Sequence, residues 1–282
     1  MKITHGELVT LNPWVRRITA PNPGPLTGEG TNTYIIGRQH VAVIDPGPIE
    51  QGHAELIYQL LTAQGCTITH IIMTHTHPDH SPAGRRLAEL SGAPQIGKAA
   101  DDQQFQDELF VADEELFDGW QLRTEEFELQ AIFTPGHVSN HYCLLEKNSG
   151  LLLAGDHLMN GSTVVIVPPS GDMYDYIASL EKLRQYPIAA IGPAHGEVVA
   201  EPWAMIDAVI AHRMGREQKV VQALAGAGEQ SMAQLVAAVY DDVPEAMHGM
   251  AIFSLEAHLL KLKRERRIEQ RGDCWWMAKV TG

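Results

Sequence analysis

The sequence predicts an α/β protein, with sheets covered by helices over residues 1–210 and a winged-helix-like module over residues 211–282. Three observations predict it. Up to about residue 200, short apolar strand-like runs alternate with amphipathic helical segments. Several of these strands deliver polar residues at or just past their C-terminal ends, where loops converge in folds of this class. Beyond about residue 205 the pattern changes to continuous helical periodicity and closes on a two-stranded hairpin.

The early chain is turns and short strands. NPGPLTGEG (22–30) is loop chemistry, and TNTYIIG and HVAVIDPG are strands closed by Gly or Pro-Gly. GHAELIYQLLTAQG spaces Leu56, Ile57, Leu60 and Leu61 by three and four and stops at Gly65, which predicts a helix. The strand TITHIIMT follows. DHSPAGRRLAELSG, with an N-cap residue at its start, an early Pro82 and a terminal Gly92, predicts a second helix from Asp79 onward. After a variable middle come the strand ends FELQAIFTPGH, HYCLLEKNSGLLLAGDH and AAIGPAHG. The last third predicts helices over AMIDAVIAHRMGREQKVVQALAGAG, SMAQLVAAVYDD and VPEAMHGMAIFSLEAHLLKLKRERR. RIEQ, the turn RGD and CWWMAKV then form the hairpin. The module boundary is expected inside the first of those helices, near residues 203–225.

At 282 residues, with 44% hydrophobic and 20% charged residues, the chain can bury a full core. No apolar run approaches the roughly 20 residues of a membrane helix, and the N-terminus lacks an apolar signal core, so no membrane partner is expected and the cytoplasm is the expected location. Cys66, Cys143 and Cys274 lie far apart without a CxxC pair, which argues against disulfides or a thiolate zinc site. The net charge is −14. Residues 201–282 hold 10 Lys+Arg against 11 Asp+Glu, leaving 11 against 24 before them. An acidic N-terminal part lacks the basic stripe of a nucleic-acid binder.

The densest chemistry is THTHPDH (74–80), directly after the apolar Ile71, Ile72 and Met73. His75 and His77 are two residues apart, so on an extended or irregular segment their imidazoles converge from one side. Asp79 and His80 add a carboxylate and a third imidazole, and Pro78 stiffens the link. Imidazole and carboxylate suit zinc, iron or manganese. His137 in TPGH, Asp156 in AGDH and His195 in PAHG are three more donors at strand ends framed by glycine or proline. Seven donors exceed what one zinc takes and predict two divalent metals, with Asp156 able to bridge them. Zinc is the expected metal, with iron and manganese as alternatives.

HxHxDH followed by TPGH, GDH and a late glycine-flanked His resembles the metallo-β-lactamase-fold hydrolases, and IDPG at 44–47 matches that family's early strand-end aspartate. The resemblance covers about residues 5–200 and implies a four-layer αβ/βα sandwich with the metals at one edge. It implies His75, His77 and His137 at a first metal, Asp79, His80 and His195 at a second, and Asp156 between them. True antibiotic-degrading members commonly carry a cysteine in the second site and lack a counterpart of His80, so lactamase action is not implied. GTNTY, TPGHVSNH, MYDYIASLEKL and the winged-helix tail are similar to the beta-lactamase-like protein 2 / glyoxalase II-like branch, which includes endoribonucleases and acyl-carrier-protein thioesterases. On that basis Asn32, Tyr34 and Tyr174 are expected in the substrate cleft. Asp45 is expected to orient a ligand imidazole, and Asp79 also to relay a proton while a cation-held hydroxide attacks.

His5, His40, His53, His70, His212, His248 and His258 are assigned to surface or core, and His141 and His157 stay outside the metal set. In the tail, Pro244, Glu245 and His248 open the third helix, while Lys261, Lys263, Arg264, Arg266 and Arg267 crowd its far end. A DNA-recognition helix presents its N-terminal residues to the groove, so a packing or dimerisation module is favoured, and a homo-oligomer is compatible with it. Trp275 and Trp276 are expected to divide between core and surface. The expected reaction is hydrolysis of an ester or thioester acyl bond in a small substrate. Endonucleolytic cleavage of single-stranded RNA and a non-catalytic metal-binding regulatory module are the alternatives.

Overall fold

The computed structural model describes residues 3–49, 52–102 and 104–279. Its first sheet joins, in chain order, β1 (Val9–Thr10), β2 (Val15–Thr19), β3 (Asn32–Ile36), β4 (His40–Ile44), β5 (Thr67–Ile72), β6 (Gln95–Gly97) and β7 (Glu114–Glu115). Helices α1 (His53–Ala63) and α2 (Ala83–Ser91) are the crossovers that let β4, β5 and β6 run parallel. The second sheet has the order β12-β11-β10-β9-β8, built from β8 (Gln121–Arg123), β9 (Glu128–Phe133), β10 (Tyr142–Glu146), β11 (Leu151–Gly155) and β12 (Ala190–Pro193). It is antiparallel except between β11 and β12, which are linked through α3 (Met173–Lys182).

The period of two in these strands builds the layers. Ile35, Val41 and Val43 turn onto Ile57 and Leu61 of α1 and Leu87 of α2. Their neighbours Tyr34, Ile36, Ala42 and Ile44 turn the other way, onto Leu129, Ala131, Leu144 and Leu153 of the second sheet. That sheet's opposite face, with Ile132, Cys143, Leu145 and Leu152, is covered by Tyr176 and Leu180 of α3 and by Ile206 of α4 (Pro202–Ala227). Helix, sheet, sheet and helix stack as the four-layer sandwich expected from the sequence.

One local expectation is corrected. The second helix starts at Ala83 rather than Asp79, with Pro82 at its N-cap and no side-chain cap. Residues 78–81 form turns instead, because the His80 and Ser81 amides bond back to the His77 carbonyl while the His80 carbonyl accepts from Gly47.

Beyond the sandwich, α4 runs unbroken through residue 210 into the C-terminal module. There, α5 (Met232–Val239) opens with a capping box between Ser231 and Gln234, and α6 (His248–Arg264) leads into the hairpin of β14 (Ile268–Arg271) and β15 (Cys274–Met277). The short β13 (Gln230–Ser231) pairs with β15, completing a winged helix around Leu224, Leu235, Val239, Leu255, Leu259 and Trp275. Trp275 is buried, while Trp276 is half-buried on the hairpin under the Arg271 guanidinium.

Helix α6 buries His258 with neither ring nitrogen partnered among the described residues. Burial first, then Arg213, Lys261 and Arg216, push its pKa down to about 3. An unfolded chain would titrate this group near its ordinary 6.5. Between those values the unfolded state binds the extra proton, so stability is expected to fall as pH drops below 6.5, by up to about 1.4 kcal/mol per pH unit from this residue. Urea unfolding at pH 7 and pH 5 checks this: His258→Leu should lose less stability across that interval than the parent, and equal losses would count against the assignment.

Candidate metal centre

The C-terminal ends of β4, β5, β9, β11 and β12 open on one edge of the sandwich, and each delivers a side chain there: Asp45, then His75 and His77, His137, Asp156 and His195. Two glycines make the delivery possible. Gly136 has φ 138, and a Cβ on it would sit 2.3 Å from the Tyr176 Cα of α3; Gly155 has φ 50, and a Cβ there would come within 2.6 Å of His141 and Thr74. TPGH and AGDH are thus turns that only glycine fits.

All seven predicted donors meet. The donor atoms of His75, His77, His137 and Asp156 lie within 4.8 Å of one another, as do those of Asp79, His80 and His195. Asp156 faces both groups. Its Oδ2 is 3.6 Å from His137 Nε2, and its Oδ1 is 3.1 Å from His195 Nε2 and 3.5 Å from His80 Nε2. Asp79 Oδ2 stands 3.3 Å from His195 Nε2 and 3.4 Å from His80 Nε2, and accepts from Thr31 Oγ1 at 3.0 Å.

The rings are aimed by what holds their other nitrogen. His137 Nδ1 donates to the Val165 carbonyl at 2.8 Å, His195 Nδ1 faces the Gly30 carbonyl at 3.2 Å, and His80 Nδ1 meets Asp45 Oδ2 at 3.0 Å. Each Nε2 is therefore turned inward, the arrangement that fixes a ligand tautomer. Asp45 also accepts from the Thr74 amide and hydroxyl, both at 2.7 Å, with its own backbone at φ 48. The Val165 segment is held in turn by Arg213 of α4, whose Nη2 donates to the Val164 carbonyl at 2.5 Å.

The donor set fits cations. His75 Nε2 and His80 Nε2 are buried with no hydrogen-bond partner among the described residues. Burial pushes His75 well below the ordinary imidazole range, with help from His80 and His77, and pushes His77 down to about 3, so both are neutral bases. His80 and His195 behave oppositely. Burial works against their charge, but the carboxylates of Asp79, Asp156 and Asp45 hold His80 well above its usual range, and those of Asp156 and Asp79 raise His195 to about 10. The two imidazoles in return hold Asp79 and Asp156 below the carboxylate range against the effect of burial. Protons here balance buried negative charge that a divalent cation would balance instead.

Three expected cleft residues lie elsewhere. Asn32 is fully buried, with Nδ2 donating to the Pro193 and Gly196 carbonyls at 3.0 and 2.8 Å. Tyr34 is buried between the sheets, and its hydroxyl donates to the Pro193 carbonyl at 2.8 Å. Both brace the loop that carries His195. Tyr174 faces solvent beneath the Arg264 guanidinium, 4.1 Å from its ring centre. Residues that sequence reasoning missed include Thr31, Thr74 and Thr134, whose hydroxyls contact Asp79, Asp45 and His141. Single threonines on unrelated elements leave no periodic signal.

With this geometry in place, comparison with known proteins is decisive. Residues 26–195 match the metallo-β-lactamase superfamily profile, and residues 231–276 match the beta-lactamase associated winged helix domain. The chain belongs to the metallo-β-lactamase superfamily. A beta-lactamase-like protein 2 homolog of Drosophila melanogaster is 31% identical over 90% of this chain and 89% of its own length. An atrochrysone carboxyl ACP thioesterase of Aspergillus fumigatus is 26% identical over 98% of this chain and 90% of its own. A metallo-β-lactamase family protein of Thermus thermophilus shares the fold at a TM-score of 0.77 and 19% identity, covering 95% of this chain and all of that one. This member of the superfamily is a metal-dependent hydrolase with a His/Asp site for divalent metal, and no described helix is long and apolar enough to cross a membrane.

Proposed function

We propose that the chain hydrolyses an ester or thioester acyl bond with two divalent metal ions, zinc the favoured pair. The observation that carries this is the position of Asp156, one oxygen toward His137 and the other toward His80 and His195. His75, His77 and His137 would hold one ion, Asp79, His80 and His195 the other, and Asp156 would touch both. Bound there, the ions would lower the pKa of a coordinated water toward neutrality and offset charge developing on the substrate oxygen.

The chain's own residues do the positioning. Asp79 and Asp156 border the cavity that leads to the cluster, so the acyl carbon can reach them. Thr31 donates to Asp79 Oδ2 and steadies a carboxylate that borders the cavity, the group that would take a proton from the attacking water and pass it to the leaving group. Asp45, through His80 Nδ1 and Thr74, keeps the second donor set in register. Asp45→Ala is accordingly expected to weaken metal affinity about 10- to 100-fold in chelator competition, and unchanged affinity would remove that role.

The acyl reading is supported by near full-length similarity to a protein named as an acyl-carrier-protein thioesterase. It is also supported by the cavity's charge: among the described residues lining it are Asp79, Asp102 and Asp156 but no Lys or Arg. Beyond the ions themselves, a nucleic-acid backbone finds no side-chain counter-charge there. The test is a panel of acyl thioesters and an end-labelled single-stranded RNA, each given to the zinc-loaded protein and to His77→Ala prepared identically. Thioester turnover lost in the variant is the expected result. RNA cleavage lost in the variant, without thioester turnover, would replace the reading with an endoribonuclease, and tight metal binding with no turnover of either would leave a regulatory module.

A further inference from the structure

We infer that the N-terminal part of α6 in the winged-helix module is the acyl-selecting wall of the active site, and that the substrate is an ester or thioester of a long apolar acyl group. This rests on the hydrolase reading above. A cavity of about 710 Å³, in the range of ligand sites, runs from the His/Asp cluster to Met247, Met250 and Phe253. Leu26, Phe105 and Val165 line it from the catalytic side.

The spacing of Met247, which caps the start of α6, and of Met250 and Phe253 within it puts these three side chains on one side of the helix, while Leu255, Leu259 and Leu262 enter the module's own core. The helix therefore has two apolar faces, and the module's core accounts for only one. Leu26, Phe105, Met247 and Met250 remain 54%, 57%, 48% and 37% exposed around the cavity, large apolar surface that a ligand would remove from water. Methionine adapts to chains of varied shape. No Lys or Arg among the described residues lines the cavity, so the portion of the ligand that lies here carries no negative charge, and the apolar side chains around it favour an acyl chain.

The wall is fixed rather than loosely tethered. Arg264 at the far end of α6 reaches Asp175 of α3 at 3.1 Å and stacks on Tyr174, and Arg213 of α4 bonds the Val164 carbonyl next to Val165. Ala257, midway along α6, is buried in the sandwich's outer core with Ile206 and Tyr176. The module thus completes the active site, and its helix N-terminus faces the metal donors rather than a nucleic-acid groove.

The test uses N-acetylcysteamine thioesters of straight-chain acids from acetyl to decanoyl with the full-length, zinc-loaded protein. kcat/KM is expected to rise about three- to fourfold per added methylene until the cavity is filled. The pair Met247→Gln and Met250→Gln, at partly exposed positions where folding is insensitive to polarity, should cut the decanoyl-to-acetyl ratio at least about tenfold, since several methylenes lose their apolar contact. The pair Met247→Leu and Met250→Leu should retain it. A ratio that stays flat along the series, or that the Gln pair leaves unchanged, overturns the inference. Calorimetric binding of the matching S-alkyl thioethers separates it from the hydrolase reading. Affinity that grows with alkyl length and is lost in the Gln pair upholds the wall even if no thioester is cleaved, in which case only the hydrolytic assignment falls. Length-independent binding overturns the wall whatever the turnover.

Discussion

Asp156→Ala should cost about a thousandfold or more in kcat/KM, with loss of bound metal and little change in the fold. The cations contribute several kcal/mol of charge stabilisation in such sites, each ~1.4 kcal/mol is tenfold, and Asp156 is the carboxylate that faces both donor groups. His77→Ala should behave alike, because His77 Nδ1 lies 3.1 Å from His137 Nε2 inside the first group. Neither side chain carries the core: the apolar faces of both sheets pack without them. Elemental analysis beside steady-state kinetics reads both effects at once. Normal turnover at full metal content in either variant would sink the assignment.

Glu217→Ala should destabilise the C-terminal module by about 3–5 kcal/mol, the cost of leaving a buried charge without its partner. Glu217 of α4 is 2% exposed and accepts from Lys261 of α6 at 2.6 Å and from Arg267 at 2.8 Å. Burial alone would lower the Lys261 pKa, but Glu217 and Glu265 together raise it, so the ammonium stays charged. Removing Glu217 leaves Lys261 with Glu265, at 2.8 Å, as its one acidic partner among the described residues, and places the loss at the lower end of that range. Thermal and urea denaturation measure it. Glu217→Leu combined with Lys261→Met should recover most of the stability, since apolar replacements of similar size avoid desolvation altogether. A Glu217→Ala variant within 1 kcal/mol of the parent would show the pair to be dispensable.

The side chains that gather in the His/Asp cluster were legible because their signal is local and chemical. Four of the seven sit within six residues at THTHPDH, and the others are flagged by the glycine or proline that their turns require. The fold class was legible for the same kind of reason: alternation along β3, β4, β9 and β10 already encodes which residues face which layer. Asn32 and Tyr34 show where local reading stops. Both lie in a strand that precedes the site, and nothing in GTNTY distinguishes a side chain that meets a substrate from one that bonds carbonyls 159 to 164 residues away. Tyr174 was likewise assigned to the cleft, but the Arg264 guanidinium that covers its ring arrives from another helix, 90 residues later.

By itself, then, the sequence determined the layered α/β class, the winged-helix outline, which His and Asp side chains are candidates for the cluster, and the acidic character of the N-terminal part, all properties carried by neighbours in the chain. Tertiary structure alone decided that Asp156 stands between two donor groups, that Gly30, Asp45 and Val165 aim the imidazoles, and that Met247 and Met250 face the donors across a cavity. Those relations join residues dozens to more than a hundred positions apart, and they exist only once burial of the two sheet faces has brought the strand ends to one edge.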